Sequence, residues 1–346
     1  FKILNMNSIV INLKKIKSTS FWYFFIKFFF KNIYFFFWRF ALNFHGCALY
    51  FLWFIKKRPF YDLNEKNYLV LRNDEQLRKF SKEISKKISK EKLEKLKSDM
   101  VNGNMKTTNE TNTSKNTYKT DIFFELDNEI QRKIVEFASS EKMISTAAKH
   151  MKIFPIISRI ILNYNIVNTE KQRGAMLWHR DAFGYRSLDV FISLTDVDQN
   201  NGPLSVLTEE NKLGIFSRNK NEKNFAVAGE RGKIDDSSVN SEGKTINNIG
   251  EIGTAVLIDS YVSYHKGGNC KNKERLMLRI SYQGVDAIDF RPQGDYFIFD
   301  TNIQKKKIKS HFKKFVLFKR SKILNVFNIR YKLLRFYRVM QYYKNN

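Results

Sequence analysis

The chain has 346 residues, of which 43% are hydrophobic, and a formal net charge of +27. That length allows one large domain with extensions, or two small ones, and the apolar share is ample for a buried core. The two cysteines, Cys47 and Cys270, exclude a disulfide framework and a C-x-x-C zinc site, and point to a reducing, cytoplasmic setting.

The charge is unevenly spread. Residues 1–58 hold ten Lys/Arg and residues 303–346 hold fourteen, with no Asp or Glu in either stretch, so the two ends carry 24 of the 27 excess charges. Residues 59–302 are left at +3 and read as the globular domain, the basicity belonging to the ends. In the first segment, residues 21–55 are dense in Phe, Trp, Tyr and Leu. The uncharged run Phe40 to Ile55 is sixteen residues long between Arg39 and Lys56-Lys57-Arg58. A spanning helix needs roughly 20 apolar residues, so the segment reads as membrane-associated, spanning or lying on the surface, with A+T-rich coding as the bland alternative. It does not fit a signal peptide, because the apolar region is long and broken and no small-residue cleavage site follows.

Within the middle, Tyr68–Leu71 reads as a short strand. Asn73-Asp74-Glu75-Gln76 reads as the N-terminus of a helix running from Leu77 to Lys97 with a solvated charged face. Residues 101–119 read as a polar loop. Residues 127–150 read as a helix with Ile130, Ile134, Val135 and Phe137 as its apolar stripe. His150, at its end, reads as a helix-end or surface histidine rather than a ligand. Ile156 to Val167 is β-branched and predicts the first core strand.

Trp178-His179-Arg180-Asp181 follows. On a strand, residues i and i+2 point to one face, so His179 and Asp181 could hold one metal if the segment is extended. His265 would complete the ligand content of a 2-His-1-carboxylate facial triad, the usual non-haem Fe(II) site of oxygenases. The same ligands also suit Zn2+ hydrolysis. Strands are predicted at Leu188–Asp196, Ser205–Leu207 and Leu276–Tyr282, with a turn at Asn200–Leu204 and the run Gly253–Asp259 leading up to His265. Arg275 could anchor a co-substrate carboxylate by a bidentate charge-assisted pair, with Arg279 as the alternative anchor. Residues 209–250 form a long polar insertion, a substrate lid or a surface loop. In residues 303–346, Phe315, Phe318, Ile323, Phe327 and Tyr331 sit at roughly helical spacing among Lys and Arg. That tail reads as a basic amphipathic segment for an anionic membrane, or as helices packed on the core. Nucleic acid is a weaker rival, with no motif of defined spacing.

The run "WHRDAF…SLTDVDQNNGPLSVL…GTAVLIDSYVSYHKGGN…RLMLRISY" resembles the phytanoyl-CoA dioxygenase family of Fe(II)/2-oxoglutarate oxygenases over about Trp178 to Tyr282. The resemblance implies a mainly β fold with flanking helices, built on a double-stranded β-helix (jelly-roll) core. It makes His179, Asp181 and His265 the iron ligands and Arg275 the 2-oxoglutarate anchor. It further implies that O2 and 2-oxoglutarate are consumed, that succinate and CO2 are co-products, and that a small organic substrate is hydroxylated. Gly or Ala in place of Asp181 would instead open a position for halide. The Pro-Gly-Ser-His-like segment common in the family after "NGPL" is here Leu207-Thr208-Glu209-Glu210-Asn211, which affects local substrate contacts and not the triad. The alternative function is a membrane-peripheral jelly roll that only binds a ligand.

Overall fold

The computed structural model describes residues 35–63, 67–102, 118–168, 174–181, 187–207 and 245–284. The expectations for residues 1–34, most of the 101–119 loop, residues 208–244 of the insertion and the 303–346 tail lie outside them.

Among the described residues, nine strands form two antiparallel sheets. The larger has the order β1 (Tyr68–Leu71), β7 (Ala255–Ile258), β4 (Ser187–Ser193), β9 (Arg275–Gly284), β3 (Pro155–Asn165), β2 (Lys119–Asp121). The smaller has the order β6 (Thr245–Asn247), β5 (Leu204–Leu207), β8 (His265–Gly267). The sheets face one another as a jelly roll through Phe191, Val256, Ile258 and Met277 on one side and Leu204 and Val206 on the other.

Strand alternation decides what each face buries. On β4 and β9, Leu188, Val190, Ile192, Leu276, Leu278, Ile280 and Tyr282 turn outward into the main core. Four helices cover that face: α2 (Glu75–Lys87), α3 (Lys90–Val101), α4 (Asn128–Ala138) and α5 (Glu141–Met151). The opposite parity places Ser187, Asp189, Phe191 and Ser193 of β4 across from Gln283, Ser281, Arg279 and Met277 of β9, on the face toward the small sheet. The β4–β9 part of the barrel interior is therefore largely polar, and nearly all of it is buried.

Two helices expected to be continuous are broken. The stretch from Leu77 to Lys97 divides at Ile88, which is extended (φ −83°, ψ 114°), and Ser89 then caps α3 by accepting from Lys92 N at 3.3 Å. Residues 127–150 divide at Ser139, whose Oγ donates to Val135 O at 2.8 Å, turning the hydroxyl back on the helix it ends. The polar insertion also closes earlier than residue 250. Thr245–Asn247 pairs with β5, and Ser205 Oγ donates to Asn247 Oδ1 at 2.6 Å. At the β4–β5 turn Gly202 has φ +68°, and a Cβ there would meet Gly268 O at 2.4 Å, so the turn requires glycine.

Helix α1 (Phe35–Phe54) lays Leu49 and Trp53 into the main core. Trp53 Nε1 donates to Ser145 Oγ at 2.9 Å, its ring lies 5.3 Å from that of Phe154, and the Arg58 guanidinium sits 3.9 Å above it. Arg58 also pairs with Glu141. The opposite face leaves Phe44, Phe51, Leu52 and Ile55 exposed. No helix among the described residues is long and apolar enough to cross a membrane. Trp53→Ala is expected to lower stability by about 3 kcal/mol, by cavity formation and loss of a buried hydrogen bond. Phe51→Ala should change it by less than about 0.5 kcal/mol; urea unfolding of the two variants measures the contrast.

Candidate active site

His265 opens β8 opposite Val206, so its side chain faces the barrel interior. His179 pairs with it in an antiparallel bridge, with N–H to O distances of 3.0 and 2.9 Å, and thereby extends the small sheet by one residue pair. The segment is extended as expected, and the imidazoles stand side by side with centroids 4.4 Å apart. Their chain neighbours turn the other way. Trp178 and Tyr264 bury against Leu207, while Lys266 lies 4.9 Å over Trp178 and Arg180 lies 4.9 Å over Tyr264. That outer packing fixes the inward direction of both histidines. Asp181 follows on the His179 face, its N–H held by Ser260 O at 2.8 Å.

The three side chains converge, with one ligand atom from each lying within 4.8 Å of the others. Both histidines are oriented for metal in the same way. His179 Nδ1 is 2.8 Å from Leu177 O, and His265 Nδ1 is 3.1 Å from Ser263 O. A carbonyl only accepts, so each Nδ1 carries the proton and each Nε2 presents its lone pair. The two Nε2 atoms face the Asp181 carboxylate at 3.8 and 3.9 Å. Burial, and then the neighbouring His265, push the His179 imidazole down to about 4, so it is neutral and ready to ligate at neutral pH. Burial would raise the Asp181 carboxyl, but Arg279, followed by the two histidines, outweighs it and holds the group well below the usual carboxylate range.

The two arginines separate in role. Arg279 is committed. Its Nε donates to Asp189 Oδ1 at 3.0 Å, its Nη2 donates to Asp189 Oδ2 at 3.0 Å, and the same Nη2 reaches Asp181 Oδ2. Burial opposes its charge, but Asp189 and Asp181 together raise its pKa. Arg275 is buried on the same face of β9, and its Nε and Nη1 have no hydrogen-bond partner among the described residues. Burial lowers its pKa. Its cross-strand partner Asn165, and Asn163 beside it, also carry buried Oδ1 atoms without a partner.

The chain reading missed Asp189, Ser260, Ser263, Ser281 and Asp259. Asp259 organises the turn that leads to His265. Its Oδ1 accepts from Tyr261 N at 3.1 Å and Val262 N at 3.3 Å, and its Oδ2 meets His150 Nε2 at 3.1 Å. His150 does end its helix, but it is packed here rather than lying on the surface. The available signal was the parity of Asp189 with the polar residues of its strand. Cys270 is buried and donates to Asn201 O at 3.4 Å, and burial raises its thiol pKa. A separate cleft of about 520 Å³ opens between the β1 and β6 edges, lined by residues such as Tyr68, Arg72 and Asn247 and by none of the triad.

The sequence matches the profile of the family described as phytanoyl-CoA dioxygenase (PhyH) over residues 65–277, more than half of the chain. Curated proteins yield no significant relative. Among solved structures, EctD from S. alaskensis with bound Fe is 16% identical, with 64% of this chain and 74% of that chain covered and a TM-score of 0.40. The non-heme alpha-ketoglutarate-dependent epimerase SnoN from nogalamycin biosynthesis is 15% identical, covering 68% and 85%, with a TM-score of 0.41. AviO1 from Streptomyces viridochromogenes Tue57 is 15% identical, covering 64% and 91%, with a TM-score of 0.39. Identities and scores this low leave the assignment to the family profile, whose span takes in both histidines, the carboxylate between them and Arg275: the chain belongs to the phytanoyl-CoA dioxygenase family.

Proposed function

We propose that His179, Asp181 and His265 hold the iron, that Arg275 anchors 2-oxoglutarate, and that the protein hydroxylates a small organic or lipid-like substrate. As a member of its family the protein is a dioxygenase that uses Fe(II), 2-oxoglutarate and O2. The observation that carries the residue assignment is the convergence of three ligand atoms within 4.8 Å on the barrel face that also bears Arg275, whose Nε and Nη1 have no hydrogen-bond partner among the described residues.

The donor set fits a hard-to-borderline divalent ion with positions left open. When bound, iron with its co-substrate supplies the oxidation: O2 and 2-oxoglutarate become succinate and CO2 while one oxygen atom enters a substrate C–H bond. The protein's part is to hold and to orient. Ser263 O and Leu177 O keep both histidines in the ligating tautomer. Arg275 would offer its buried guanidinium N–H groups to a carboxylate in a site where water competes little. The buried inner face keeps that site dry.

His179→Ala, Asp181→Ala and His265→Ala should each abolish Fe(II)-dependent succinate formation while the protein stays folded. Full turnover in the His265 variant would refute the ligand assignment. Arg275→Gln should weaken 2-oxoglutarate binding by about two orders of magnitude, a loss of a few kcal/mol. Arg279→Gln should weaken it far less. Titration of the visible Fe(II)–oxoacid charge-transfer band reads both, and the reverse ranking would move the anchor to Arg279.

A peripheral membrane location is a second reading, favoured by one stripe. Phe44, Phe51 and Ile55 are 70%, 69% and 74% exposed on the outer side of α1, directly before Lys56 and Lys57. Apolar side chains beside cations suit the interface of an anionic bilayer. The full chain should sediment with vesicles containing anionic lipid, and Phe51→Ser with Ile55→Ser should bind at least about tenfold more weakly. Equal binding by the folded double variant would remove this stripe from the interaction.

A further inference from the structure

We propose that Asp189 and Arg279 form a charge-compensated clamp that fixes Asp181 as a one-oxygen metal ligand. Arg279 is then a positioning residue and not a co-substrate anchor. This rests on the triad reading above and adds to it two residues outside the ligand set.

The clamp is defined by contacts among two strands, β4 and β9, the turn after β7 and the segment that carries Asp181. Arg279 meets Asp189 through a side-on fork, Nε to Oδ1 and Nη2 to Oδ2, both at 3.0 Å. Asp189 is further fixed by Ser281 Oγ on Oδ1 and Ser260 Oγ on Oδ2, so each of its oxygens accepts two hydrogen bonds. The guanidinium carbon lies 5.1 Å from the Phe191 ring centroid, which adds a wall beside the fork. From this fixed position Nη2 donates to Asp181 Oδ2. Ser260 ties the other end, because its carbonyl holds the Asp181 N–H at 2.8 Å while its hydroxyl holds Asp189. Backbone and carboxylate of Asp181 are thus both referred to Asp189.

Two consequences follow. Asp181 Oδ2 is engaged by Arg279, so Oδ1 and the two Nε2 atoms are the donors left for a metal. The charges also balance. A guanidinium in hydrogen-bond contact with a ligand would oppose a divalent cation, but Asp189 cancels it, and the Asp181 charge remains available to the metal. Arg275, with no carboxylate partner among the described residues, keeps its charge for an anion.

The test is Co2+ titration of the metal-free full-length protein, read by visible d–d absorption and calorimetry, for wild type, Asp189→Asn, Arg279→Gln and the double variant. Wild type is expected to bind a single equivalent. Asp189→Asn leaves the guanidinium uncompensated beside Asp181 and should bind at least about tenfold more weakly. Arg279→Gln should bind no more weakly than wild type, but with a changed absorption band because both Asp181 oxygens are released. The double variant should return to within about threefold of wild type. Equal weakening in all three variants, tracking the unfolding temperature of the metal-free protein, means a merely structural pair and overturns the proposal. A larger loss of 2-oxoglutarate affinity in Arg279→Gln than in Arg275→Gln overturns it as well. If Asp189→Asn does not fold, the Arg279→Gln band decides, and an unchanged band overturns the clamp. A wild type that binds no Co2+, indistinguishable from His265→Ala, removes the triad reading itself, and the clamp falls with it.

Discussion

A sheet covered on both faces must bury whatever its strands carry, and here the inner face carries charge. Outward residues of β4 and β9 are aliphatic or aromatic and disappear under helices. Inward residues include Asp189, Arg275, Arg279, Ser281 and Gln283, all buried or nearly so. An ionised group in such surroundings needs a partner or a large desolvation cost goes uncompensated. Asp189 meets that demand with four donors. Arg279 meets it with two carboxylates. Arg275 is the exception among the described residues: its Nε and Nη1 have no hydrogen-bond partner there, which is what the proposed anion anchor would require.

The geometry of the candidate triad depends on backbone hydrogen bonding together with the outward packing of Trp178 and Tyr264. His179 and His265 face the same way because their main chains exchange two hydrogen bonds. Asp181 is set by Ser260 O and His265 by Ser263 O, both in the turn after β7. That turn is closed by Asp259, which α5 reaches through His150. A helix on the outer layer therefore bears on the ligand positions through one carboxylate. Helix α1 belongs to the same outer layer, through Trp53 and its bond to Ser145 of α5.

Much of this was legible along the chain. The strands Tyr68–Leu71, Ser205–Leu207 and Leu276–Tyr282 announced themselves by β-branched and aliphatic runs between Gly, Asn and Pro. His-x-Asp announced itself by its i, i+2 spacing. The helix breaks were less visible, because Ile88 and Ser139 are both compatible with helix, and extended backbone at the one and a hydroxyl returned to Val135 O at the other end the helices without a Gly or Pro signal. Thr245–Asn247 lacked any signal of its own, since a three-residue strand at a sheet edge takes its identity from the strand it pairs with.

Secondary-structure periods, the candidate ligand residues and the family were all readable from the chain, because they reside in local patterns and residue chemistry. The chain also supplied two arginines four residues apart on one strand face, with nothing local to tell them apart. Tertiary structure decided that difference. Asp189 lies ninety residues before Arg279, and only the β4–β9 register brings the carboxylate to one arginine and not to the other. Partner choice between buried charges is fixed by distances across strands, which no local sequence pattern encodes.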